Sequence, residues 1–224
     1  MNNNEIRILK HLDLIDDQDP MGESLIHSDK SSKVWIPETQ GTVLGSSQKP
    51  ELELNISNIL ADNIPVYKRR GGGGCVLLSS KGLCYAIKFK RKKDLSIQDY
   101  FEMGTSVLQN VLWKEYQIES HMRGISDLAI GDKKILGCSL YLPKDFALFY
   151  ASVLVGDESE AISKYLSHPT REPDYRQGRN HAEFISSISH FIDHDDSKND
   201  TSLVQKVKNL LEIEIETEWI HALA

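Results

Sequence analysis

Four stretches of this chain carry residue types able to do chemistry. The first is Lys68-Arg69-Arg70-Gly71-Gly72-Gly73-Gly74-Cys75-Val76, where two arginines run into four glycines and then an apolar segment. Glycine permits positive φ and lets a ligand approach the backbone without meeting a Cβ, while the arginines offer forked donors to a carboxylate or phosphate. A flexible glycine-rich loop is the plainer reading of the same run. The spacing of a nucleotide P-loop is absent, because the first lysine after the glycines is Lys81, beyond the apolar segment. The second is Asp127, a carboxylate able to face solvent or to hold a magnesium ion that keeps most of its waters. The third is Lys133-Lys134 beside a tight turn. A lysine there is ordinarily solvated, but one just inside a strand can also hold a carboxylate or phosphate. The fourth is the loop Pro173-Asp174-Tyr175-Arg176-Gln177-Gly178-Arg179-Asn180-His181.

The elements that must position these residues are legible from periodicity. Val34-Trp35-Ile36 and Thr42-Val43-Leu44 read as short strands around a Pro37 to Gly41 turn, and Ile56 to Ala61 as a small helix. Cys75 to Ser79 and Leu83 to Phe89 are strand-like on either side of a four-residue turn, a hairpin signal. Ser96, with Asp99 three residues on, predicts a capped helix through Val111-Leu112. Asp127 to Ile130 and Lys134 to Leu140 flank Gly131-Asp132-Lys133 as a second hairpin, and Phe146 to Val155 is apolar on both alternating sets, as a central strand should be.

Glu158 to Leu166 predicts a short helix, and Asn180 with Glu183 caps another that runs to Phe191 and is broken at His194 to Ser197. A last helix carries Leu203, Val204, Val207 and Leu211, and Ile213 to Thr217 reads equally as a strand or as its extension. The first thirty or so residues, polar and acid-rich, read as a loosely held N-terminus within which Gly22 to Ile26 predicts a short helical turn. With no repeat and no linker, the expectation is one α/β (α+β) domain over 1–224, a mixed and largely antiparallel sheet flanked by helices.

Composition bounds the class. A chain of 224 residues with 40% hydrophobic content builds a proper core, and a formal charge of −7 lacks the basic footprint of a nucleic-acid binder. The one dense basic cluster, Lys88, Lys90, Arg91, Lys92 and Lys93, reads first as a solvated loop, with a phosphate or acidic-partner contact as the alternative. No run reaches the roughly 18 apolar residues of a membrane span, and the first residues lack a signal-peptide pattern, so a cytoplasmic protein without a membrane partner is expected. Cys75, Cys84 and Cys138 are odd in number and include no C-x-x-C pair, which suggests neither a disulfide framework nor a zinc site.

Together the motifs resemble the lipoate-protein ligase and octanoyltransferase family, related in fold to biotin protein ligases, over most of the chain. Arg69-Arg70-Gly71-Gly72-Gly73-Gly74-Cys75-Val76 is similar to the family's R-R-x-G-G-G-x-V motif, and Asp127-Leu128 with Lys134-Ile135-Leu136-Gly137 to its D-L and K-[IVF]-x-G signatures. The resemblance implies lipoate and ATP as substrates and a lipoyl-adenylate intermediate, with Mg2+ and an acceptor lysine on a lipoyl domain. It implies Lys134 as the catalytic lysine, on the acyl carboxyl and the phosphate. Arg69, Arg70, Gly71, Gly72, Gly73, Gly74, Val76, Gly137 and Tyr150 would then be substrate-binding, with Asp127 near the nucleotide and the magnesium.

The family's transferases use a cysteine nucleophile, yet Ala147 stands about where one class carries it, Tyr150-Ala151 replaces a histidine-glycine pair, and the loop before Asp127 holds none. Leu78 stands where relatives often have histidine. The ligase reading therefore leads, with a separate accessory subunit expected because the chain ends soon after Trp219 without a C-terminal accessory domain. A non-catalytic acyl- or nucleotide-binding homologue, and an octanoyltransferase with a displaced cysteine, are the alternatives.

Overall fold

The computed structural model describes residues 8–9, 19–192 and 200–219. The break at His194 to Ser197 and the start of the loosely held N-terminus fall outside these residues, but from residue 19 that looseness is not found, because Met21, Glu23 and Leu25 are buried. In chain order the strands are β1 (Ile8–Leu9), β2 (Ser32–Trp35), β3 (Gly41–Leu44), β4 (Val66–Lys68), β5 (Val76–Leu78), β6 (Gly82–Lys90), β7 (His121–Arg123), β8 (Asp127–Ile130), β9 (Lys133–Tyr141) and β10 (Phe146–Leu154). The helices are α1 (Pro50–Glu53), α2 (Ile56–Ala61), α3 (Ile97–Tyr116), α4 (Ser159–Tyr165), α5 (His181–Phe184) and α6 (Asp200–Glu214).

The strands form two sheets. Six run antiparallel in the order β2-β6-β10-β9-β8-β7, and four form a mixed sheet in the order β1-β4-β3-β5. The larger sheet owes its stability to the alternation of its central strands. Leu83, Tyr85, Ile87 and Phe89 of β6, with Ala147, Phe149, Ala151 and Val153 of β10, pack against Tyr100, Phe101, Val107, Leu108 and Leu112 of α3 and Leu203, Val207 and Leu211 of α6. That leaves Cys84, Ser152 and their neighbours on the opposite face, where a cavity lies. The α3 start is the predicted one: Ser96 accepts from the Asp99 amide and Asp99 from the Ser96 amide, which satisfies two amides at the helix end. At the far end, Ile215–Trp219 continues α6 as a π-helical turn, which resolves the strand-or-helix ambiguity in favour of helix.

Three expectations are corrected. β5 and β6 are not a hairpin: β5 pairs with β3 and β6 with β2 and β10, so the chain changes sheets at Ser79 to Lys81. The reason is burial. β6 is covered on both faces for most of its length and needs a strand on each side, while the Ser79 hydroxyl turns away to the Glu158 carboxylate. Likewise β2 and β3 lie in different sheets and do not pair with each other. Finally, the Asn180 helix makes its capping box but stops at Phe184, because Ile185 bridges Lys134 and the Ser186 amide donates to the Lys134 carbonyl at 2.9 Å. A strand-like pairing replaces the next helical turn.

Candidate functional site

A cavity of about 790 Å³ opens between the two sheets. Its floor is a single row of side chains crossing the larger sheet: Trp35 pairs with Cys84, Cys84 with Ser152, Ser152 with Gly137 and Gly137 with Asp127. All five line the cavity. Strands spaced about 4.8 Å apart make this row roughly 19 Å long. It passes from an aromatic ring and a thiol, through two small residues, to a carboxylate. The apolar end is closed by Met21, Val43 and Leu78, which cluster with Cys84 and Trp35.

The glycine loop forms one wall. It joins β4 to β5 across the end of β3, and three backbone bonds hold it there: Arg69 N to Leu44 O, Gly45 N to Gly74 O and Ser46 N to Gly71 O. A Cβ on Gly45 would lie 2.1 Å from the Gly73 carbonyl oxygen, so only glycine allows this approach. Arg69 then closes the loop on itself. Its Nε and Nη2 donate to Gly72 O at 3.2 and 2.8 Å, Nη2 also to Gly74 O at 2.9 Å, and Nη1 to Val43 O at 3.2 Å. The guanidinium is buried and lines the cavity, but its donors are engaged by carbonyls rather than left as a free fork.

Arg70 points elsewhere. Its amide and its Nε both donate to the buried Glu23 carboxylate, at 2.7 and 3.2 Å, and it stands outside the cavity lining, as do Gly71 and Gly72. Gly73, Gly74 and Val76 do line it. The structure thus brings Arg69, not Arg70, to the cavity that holds Lys134.

The charged end is built on the β8–β9 hairpin. Lys134 Nζ lies 2.7 Å from Asp127 Oδ1, and its side chain folds back over Gly137 to reach it. A Cβ at Gly137 would come within 2.9 Å of that nitrogen, which is the physical content of the lysine-to-glycine spacing. Asp127 Oδ2 accepts from the Tyr175 hydroxyl at 2.9 Å. Burial, and then the facing Asp127, push the Tyr175 phenol above its ordinary range, so it remains a donor. Tyr175 is itself held between the Phe184 ring, 5.0 Å away, and the Arg123 guanidinium, 4.9 Å away.

Arg176 stacks on Phe184 at 4.7 Å, donates through Nε to Arg179 O, and is 4% exposed. Its Nη2 is buried without a hydrogen-bond partner among the described residues, as are Trp35 Nε1 and Tyr150 OH, and all three residues line the cavity. His181 completes this wall with Nε2 3.0 Å from Ser167 O, and burial holds its imidazole below the ordinary 6.5.

Two expected chemistries can be tested against these groups. Magnesium takes oxygen ligands, but both Asp127 oxygens are already engaged by Lys134 and Tyr175. Asp127 does not fit as a direct metal ligand in this arrangement. A thiol nucleophile is equally ill served. Burial pushes the Cys75 thiol up to about 12 and raises Cys138 well above its usual range, and Cys138 Sγ donates to Ser126 O.

The sequence flagged the Pro173 to His181 loop without a role, and it missed the floor residues Trp35, Cys84 and Ser152. Their signal was the alternation within β6 and β10, where small or polar residues interrupt one face.

Comparison with known proteins agrees with this architecture. The chain is 27% identical over 125 residues to the probable lipoate-protein ligase A of Mycoplasma pneumoniae, a match spanning 56% of this chain and 36% of that protein. It spans about a third of the length of the curated relatives it matches. Among solved structures, the bi-partite lipoate protein ligase of Thermoplasma acidophilum superposes with a TM-score of 0.69 at 18% identity, covering 87% of this chain and 74% of that one. A lipoate-protein ligase A bound with ATP gives 0.66 at 19%, covering 83% and 70%. At such identities the likeness is one of fold. The model of the lipoyl protein ligase A/B catalytic domain matches residues 27–213, and the chain belongs to that family.

Proposed function

We propose that this chain transfers a lipoyl group to the lysine of a lipoyl domain by way of lipoyl-adenylate. The observation that carries the reading is the floor row, apolar at Trp35 and Cys84 and charged at Asp127 and Lys134. An acyl chain fits the first end and its carboxyl the second. Activation joins a lipoate carboxylate oxygen to the α-phosphorus of ATP and expels pyrophosphate. The acceptor amine then attacks the acyl carbon and AMP leaves.

In this reading the protein supplies position and charge rather than a nucleophile. Lys134 is the catalytic group, compensating negative charge on the carboxyl and phosphate oxygens. Arg176 adds a second cation on the same wall, with Nη2 free of partners. Gly73, Gly74 and Val76 line the acyl path opposite Tyr150, and Arg69 serves by holding that wall in shape. Arg70 acts at one remove, through Glu23.

The Thermoplasma protein is described as bi-partite and together with its E2 lipoyl domain. By that likeness, activation here draws on a separate subunit, whereas transfer from ready-made lipoyl-adenylate uses this chain alone. The test is a mass measurement on an apo lipoyl domain incubated with the protein and either synthetic lipoyl-adenylate or lipoate, ATP and magnesium. A gain of one lipoyl group is expected from the adenylate. No gain under either condition would remove the catalytic reading, and binding of the adenylate without transfer would favour the non-catalytic homologue. The displaced-cysteine transferase has no support in the raised thiols of Cys75 and Cys138.

A further inference from the structure

We infer that Tyr175 is a positioning residue, which fixes the Asp127 carboxylate so that its free oxygen aims the Lys134 ammonium along the cavity floor. The inference rests on the proposed role of Lys134. A lysine has a flexible four-carbon stem and loses considerable rotamer freedom when held. Here that cost is met before any substrate arrives. The Tyr175 hydroxyl occupies Asp127 Oδ2 at 2.9 Å, which leaves Oδ1 for Lys134 Nζ at 2.7 Å, and Gly137 clears the space beneath.

The tyrosine is anchored independently of this chain of bonds. Phe184 and Arg123 hold its ring, and Pro173, two residues earlier, rests on the β7–β8 turn at Gly124, where a Cβ would meet the proline Cβ at 3.1 Å. Gly124 has φ +59°, so the turn cannot shift to take a side chain without strain. The loop and the hairpin therefore carry one polar chain, Tyr175 to Asp127 to Lys134. It also accounts for the poor fit of Asp127 as a metal ligand, because the carboxylate is spent on the lysine.

Tyr175→Phe keeps the ring packing and removes only the hydroxyl. Using the full-length protein, three quantities decide the matter: kcat and KM for transfer from synthetic lipoyl-adenylate, the melting temperature, and the rate of reductive methylation of Lys134 followed by peptide mass spectrometry. The expected result is a fall in kcat of roughly tenfold or more, with KM and melting temperature little changed and Lys134 methylated several-fold faster. Unchanged methylation overturns the inference whatever the activity. Faster methylation with an unchanged kcat overturns it too, since the lysine would then need no aiming. If Tyr175→Phe lowers the melting temperature markedly, it is repeated on an Asp127→Asn background, where Tyr175→Phe should no longer speed methylation of Lys134, and a further increase there overturns the inference. Should the wild type transfer nothing, the proposed function falls on its own, and the methylation comparison still decides whether Tyr175 restrains Lys134.

Discussion

The two walls of the cavity solve the problem of order in opposite ways. The glycine loop contributes almost no side chains, and its carbonyls are gathered onto one buried guanidinium, Arg69, with Gly45 admitting the close backbone approach. Across from it, the hairpin and the 173–184 loop are ordered by side chains bonded to side chains: Lys134, Asp127, Tyr175, and the rings and guanidinium groups around Phe184. The first wall spends its charge on its own architecture. The second keeps charge facing the cavity. Adjacent arginines can thus have unrelated duties, and the neighbour of a glycine run is as much a fastener as a ligand.

That contrast is open to direct attack. Lys134→Ala should lower transfer from lipoyl-adenylate by roughly a hundredfold or more, with a smaller cost in urea unfolding because the buried Asp127 carboxylate loses its counter-ion; an unaltered rate would show that the second wall holds no catalytic charge. Arg69→Ala should act in the reverse sense. It removes the guanidinium donor from the carbonyls of Gly72, Gly74 and Val43, leaving Gly74 O the Gly45 amide, and should cost about 2–4 kcal/mol in urea unfolding. A small cost would mean that the loop holds its own shape.

Arg70→Ala sharpens the difference between neighbours. Its side chain is 41% exposed, and Glu23 keeps the Arg70 amide, so the loss should be under about 1 kcal/mol. The smallest effect concerns pH. His181 is held below its ordinary 6.5 by burial, so its contribution to stability is complete above that pH and is lost as pH falls below it, the unfolded chain taking up the proton first. His181→Gln should flatten the decline in melting temperature between about pH 7 and pH 5, whereas Cys75→Ser on the glycine wall should leave that slope as it is.

Much of the fold was legible because local signals and tertiary needs agree. The capping boxes at Ser96 and Asn180 form as their spacing predicts, and the Asp127-to-Leu140 hairpin forms too, though its turn is Gly131-Asp132 alone, with Lys133 already paired to Ile130. What sequence could not reveal depended on partners distant in the chain. Nothing near Leu78 says that β5 pairs with β3 rather than β6, and nothing near Phe184 announces that Lys134 will claim the next residues for its own strand. The site shows the same division. The lysine-to-glycine spacing is local and was readable, whereas Tyr175 reaches Asp127 across 48 positions and carries no nearby pattern. Arg69 and Arg70 have one side-chain chemistry, so only the fold distinguishes the one that faces carbonyls from the one that faces Glu23.

The floor row has a consequence for how such a protein can diversify. Because the proposed acyl path is laid across strands, each rung of about 4.8 Å belongs to a different stretch of sequence, and the far rung, Trp35, lies on β2, a four-residue edge strand paired to β6 alone. Substitution there is expected to alter the depth of that path while Asp127 and Lys134, four and three strands away on β8 and β9, stay untouched. On the proposed reading, selectivity for chain length and capacity for transfer would be separately heritable traits, written toward opposite sides of one sheet.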